Sequence, residues 1–188
     1  MAKFFGNLHA VLALGFVLAI AILLSPLGAS MPAPTAISIF QWLHVFFAIT
    51  WVGLLYYFNF VQIPTMPAIP AELKPGVSKY IAPKALFFFR WAAAFTVLTG
   101  LILAWLYDEL HEAMALQDSH RLIGIGMWLA VIMAFNVWFI IWPNQKKALG
   151  LVPADEATKA KAAKTAMITS RINTMLSIPM LLCMVAFR

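Results

Sequence analysis

The chain has 188 residues, 63% of them hydrophobic and only 11% charged, with a mean hydropathy of +0.89. An ordinary soluble domain carries about a quarter charged residues, so this composition excludes one. Lys and Arg outnumber the acids 13 to 7, but in so apolar a chain the excess marks topology, not a nucleic-acid partner.

Apolar runs of about 20 residues recur, which predicts an all-α polytopic integral membrane helical bundle. Five spans are expected, near 5–27, 37–62, 84–107, 122–142 and 166–187, in a single transmembrane domain covering 1–188. The first run resembles a signal peptide in carrying Lys3, an apolar core and Gly28-Ala29-Ser30. Its apolar run is long, so we read it as a retained helix, with 1–35 an additional N-terminal helix and connector ahead of 36–188. His9 falls at the membrane interface.

The connector at 30–36 is uncharged and Pro-rich, and the next sets Glu72 against Lys74, Lys79 and Lys84. The third is acidic, with Asp108, Glu109, Glu112 and Asp118 against Arg121. The fourth places Lys146, Lys147, Lys159, Lys161 and Lys164 against Asp155 and Glu156. Basic connectors thus alternate with neutral or acidic ones, which predicts a cytoplasmic N-terminus and a periplasmic C-terminus. Residues 154–165 are rich in helix formers and are expected to extend the last helix.

The second span is unusual. At about 100° per residue, His44, Trp51, Leu55, Asn59 and Gln62 fall on one of its faces. Unpartnered polar groups are costly in hydrocarbon, so that face must meet protein or a bound group. On the expected topology, Tyr56, Asn59 and Gln62 approach the cytoplasmic end, as do Arg90 on the third helix and Asn136, Asn144 and Gln145 on the fourth. The fifth contributes Ser170, Arg171, Asn173, Thr174 and Ser177 at the same depth. Together they predict a polar pocket for a ligand or lipid, because arginines beside amides hold a planar anion or carbonyl by bidentate bonds. The alternative is that the arginines reach headgroups and the amides join helices.

His44 sits in the opposite half of the bilayer. An imidazole there is either an axial ligand of haem b or a hydrogen-bonded packing residue. With haem, Trp51 would line the cofactor and His120 is the better-placed second ligand; a quinone is the other possible cofactor, at the cytoplasmic polar pocket. Trp42, Trp105, Trp128 and Trp142 read as an interfacial belt, and Gly124 and Gly126 as points of close helix approach. Pro179 is expected to bend the last helix. Cys183 is the single cysteine, which leaves no intrachain disulfide, thiolate zinc site or covalent haem attachment.

The strings WLHVFFAITWVGLLYYFNFVQIP, FFFRWAAAFTVLTG, MAFNVWFIIWPNQKK and SRINTMLSIPML, in this order over 40–182, resemble the membrane domain of bacterial urate hydroxylase, the urate oxidase N-terminal family. The resemblance implies oxidation of urate with electrons passed to a respiratory chain, and a membrane domain typically fused to a cytochrome c domain. This sequence carries no CxxCH, so a separate periplasmic cytochrome c is the expected acceptor. Two functions are open: an integral-membrane redox protein with haem b at His44, or a non-catalytic accessory subunit packed against other membrane subunits, lipid or quinone. A transporter is the weaker third reading, since no inverted repeat is present.

Overall fold

The computed structural model describes residues 2–29 and 35–187. These residues are almost wholly helical, and no strand occurs among them. Two compact units are distinguished, residues 1–39 and 40–188.

In the first unit, helix α1 (Leu8–Leu23) is capped by Asn7, whose side chain accepts the Ala10 N–H at 3.3 Å. At 16 residues it rises about 24 Å, short of the roughly 30 Å of a hydrocarbon core. The expected first span is therefore cut down. Leu24 closes the helix two residues before Pro26, which starts a separate turn, Pro26–Ala29. The connector expected at 30–36 lies mostly outside the described residues.

Four further helical stretches are long and apolar enough to cross a membrane, and we read the chain as a multi-pass membrane protein. Helix α2 (Thr35–Tyr56) continues through a π-helical turn, Tyr57–Gln62. Helix α3 (Ala82–Leu106) comes after another, Val77–Ile81. Helix α4 (Arg121–Phe135) runs through a third, Asn136–Ile141, into a last segment, Trp142–Ala148. Helix α5 (Glu156–Ala186) is unbroken over 31 residues, with Pro179 inside it.

All three wide turns have one cause. Ile63, Ala82 and Trp142 donate to the carbonyls of Phe58, Val77 and Val137, five residues back, and each directly precedes a proline: Pro64, Pro83 and Pro143. Proline has no N–H and its ring presses on the carbonyl four residues earlier. Widening the preceding turn relieves that pressure and frees carbonyls from the ladder.

The N-terminus of α5 is fixed by Asp155, whose carboxylate accepts Thr158 N–H at 2.7 Å and Thr158 Oγ1 at 2.9 Å. Those bonds hold its carboxyl below the usual carboxylate value. At about 46 Å α5 exceeds a hydrocarbon core, so its first turns, with Lys159, Lys161 and Lys164, extend beyond it as the composition predicts. The core is apolar and joins the four long helices: Trp51, Leu55 and Phe58 meet Leu86, Phe89 and Ala93, with Met133, Val137, Ile141 and Met180 completing it. Helix α5 lies along α4, where a Cβ on Gly126 would sit 2.9 Å from Cys183 Cβ. The expectation of close approach at Gly126 is met there.

Candidate functional site

The predicted polar residues separate into distinct groups. The first joins α2 to α5: Asn59 Nδ2 donates to Ser170 Oγ at 2.8 Å and to Leu55 O at 2.9 Å. One turn earlier the Tyr56 hydroxyl lies 2.9 Å from Ser177 Oγ, which itself donates to Thr174 O. The second joins α4 to α5, where Asn136 Nδ2 donates to Asn173 Oδ1 at 2.8 Å and Asn173 Nδ2 donates to Met133 O at 2.9 Å. Asn173 and Ser177 are fully buried. Amides and hydroxyls so placed tie helices together where apolar packing has no solvent to exclude.

Beside the first group lies a cavity of about 160 Å³ at the Pro64 end of the bundle, walled by Phe58, Leu86, Ala166 and Ser170, with Gln62 and Gln145 entering it. The Oε1 atoms of both glutamines are buried with no protein partner, as is Asn59 Oδ1. Buried acceptors left unmatched are costly, so these three oxygens mark the spot where the protein's own donors leave the bundle unsatisfied. The prolines explain the placement, since Gln62 ends one π turn and Gln145 comes shortly after another.

Other predicted members stand apart. Arg171, expected in the pocket, is exposed. It is adjacent to Ser170 and two residues before Asn173, both inward-facing, so the 100° step carries it outward. Asn144 turns back on its own helix, donating to Ile140 O at 2.8 Å. Arg90 lies over the Trp142 ring, Cζ 3.4 Å from its centroid, and the Trp138 indole donates to Arg90 O at 3.2 Å.

At the opposite end of α2, His44 Nδ1 lies 2.9 Å from Thr96 O and 3.3 Å from Thr99 Oγ1. A carbonyl accepts only, so Nδ1 bears the proton and Nε2 keeps the lone pair. The ring is seated on Gly100, where an added Cβ would come within 2.8 Å of His44 Cε1. Sequence reasoning finds His44 but not this seat; the signal is TVLTG, two hydroxyls and a glycine in the facing helix. Trp51 is fully buried and its Nε1 has no partner. The ring nitrogens of His120 face other groups: Nδ1 is 2.8 Å from Ser119 Oγ and Nε2 is 3.7 Å from Glu109.

Residues 104–187 match the model of a family described as urate oxidase N-terminal. The match covers a little under half of the chain and includes Asn136, Gln145, Asn173 and the MAFNVWFIIWPNQKK and SRINTMLSIPML strings. His44, Asn59, Gln62 and Arg90 precede it. No curated protein and no solved structure matches the chain.

Proposed function

We propose that this protein, whose residues 104–187 match the urate oxidase N-terminal family model, is a redox protein of the bacterial inner membrane, with its Lys-rich connectors in the cytoplasm and its C-terminus in the periplasm. In this reading the cavity at Gln62 and Gln145 takes a small oxidisable molecule, a urate-like purine or a quinol. The two unmatched amide oxygens would accept its N–H or O–H groups. His44 would hold haem b, which supplies one-electron transfer when bound, toward a separate periplasmic cytochrome c.

The observation that carries the reading is the state of His44. A histidine that donates Nδ1–H to a main-chain carbonyl presents Nε2 as a ligand in the orientation metal-bound histidines commonly have. Ser119 and Glu109 engage the His120 ring, so His44 rather than His120 is the residue that would hold the haem. The cavity, at about 160 Å³, is below the roughly 300–1,000 Å³ of ordinary ligand pockets. The cavity therefore suits a small molecule, and the haem would be held at half-buried His44 instead.

Purified full-length protein should show a Soret absorption that is lost in His44→Ala and retained in His120→Ala. A preparation from haem-replete cells with no Soret band ends the haem proposal. The pairing of Asn136 with Asn173 and of Tyr56 with Ser177 favours a second reading, an accessory subunit whose polar residues cement the bundle. Co-purification at fixed stoichiometry with a larger membrane complex, without substrate oxidation by the isolated chain, would select it.

A further inference from the structure

Trp142 carries cations on both sides of its place in the chain. Arg90, from α3, lies over the ring at 3.4 Å, and Lys146, one turn further along the same segment, places Nζ 5.6 Å from the same centroid. Cation–π attraction accounts for the stacking, but it neutralises neither charge. Among the described residues, neither Arg90 nor Lys146 has a carboxylate within ion-pair distance. Arg90 Nε and Nη1 are moreover buried with no hydrogen-bond partner. Two cations on one indole ring, neither matched by a carboxylate, call for an anion from outside the chain.

The surroundings identify its chemistry. Phe87, Phe88, Trp91 and Phe139 beside this site are all at least 40% exposed, on helices whose outer faces meet acyl chains. Trp91 stands edge-on to Trp138 with centroids 5.4 Å apart, which continues the aromatic surface. A soluble anion would find basic groups but no use for the apolar flank. An anionic phospholipid uses both, its phosphate on Arg90 and Lys146 and its chains on the phenyl rings.

We propose that Arg90, Trp142 and Lys146 form a headgroup site for an anionic phospholipid, binding its phosphate at the Pro143 end of α4. The site is independent of the redox reading. It needs neither haem nor substrate.

The test is native mass spectrometry of the full chain in detergent, titrated with phosphatidylglycerol or phosphatidylcholine, each with and without millimolar inorganic phosphate. Phosphatidylglycerol should be retained in preference to phosphatidylcholine. Arg90→Gln and Lys146→Ala should each weaken it about fivefold, the contribution of one basic residue at an anionic surface. Arg171→Ala removes an equal charge from an exposed residue that is not stacked on Trp142, so its loss should stay below about twofold. Arg90→Lys keeps the charge but not the planar stack, and should weaken binding less than Arg90→Gln. Equal retention of the two lipids, or an unchanged titration in Lys146→Ala, overturns the proposal, and does so even if Arg90→Gln fails to fold. Displacement of the lipid by inorganic phosphate overturns the lipid assignment in favour of a soluble anion.

Discussion

Asn173 and Ser177 are fully buried on α5, while Arg171 on the same helix is exposed. Asn136 and Asn173 were legible as polar groups at one depth on facing helices, and they bond at 2.8 Å. Arg171 shared their depth and not their direction, a difference of one 100° step. Their contributions should differ accordingly. Asn136→Ala leaves the fully buried Asn173 Oδ1 without its donor and should lower stability by about 1–2 kcal/mol. Arg171→Ala, at an exposed position, should stay within about 0.5 kcal/mol of wild type. Thermal unfolding of both variants in one detergent decides this, and equal losses would contradict the placement of Arg171. The seat of His44 was beyond sequence reach for another reason: Thr96, Thr99 and Gly100 acquire meaning only once α3 is set against α2.

At the scale of elements, the helices were readable because apolar length is a local property. Their interiors were less so. A uniform 100° step predicts one continuous face on α2, yet the helix widens at Tyr57–Gln62 and shifts the phase of the residues beyond that turn. The dipeptides Ile63-Pro64, Ala82-Pro83 and Trp142-Pro143 were the available signal, since each proline removes a donor and crowds the turn behind it. The helix contacts were foreshadowed by small residues. Gly126 has no room for branching, because its Cβ position is already 2.9 Å from Cys183 Cβ and 3.5 Å from Met180 O. Gly126→Val should therefore cost about 1–3 kcal/mol as α4 is pushed from α5, measured by denaturant titration in detergent. Gly53, with open space around it, is the control: Gly53→Val should cost less, the difference being the steric part.

At the scale of the molecule, the charge pattern sets an orientation that a pair of cysteines can report. In a Cys183→Ala background, Gln117→Cys occupies the acidic connector and Lys161→Cys the basic start of α5, both at exposed positions. A membrane-impermeant maleimide should label Gln117→Cys in intact cells and Lys161→Cys only after permeabilisation. The reverse result would invert the bundle and place the cavity at Gln62 and the headgroup site at Trp142 on the outer face. Both sites lie toward the same end because antiparallel α3 and α4 bring Arg90 to Trp142, while α2 ends there at Gln62.

The sequence by itself determined that this is an apolar all-helical chain with several membrane-length spans, and where its charges and polar residues fall along them. Those properties come from composition, length and spacing, which need no partner to be read. Only the tertiary structure decided that the amides pair across α4 and α5, that Gln62 and Gln145 are left facing a cavity, that Arg90 lies on Trp142, and that the first helix falls short of a span. Each of those outcomes depends on which side chain a neighbouring helix brings opposite, or on where a proline resets the helical phase, and neither can be read from periodicity along a single helix.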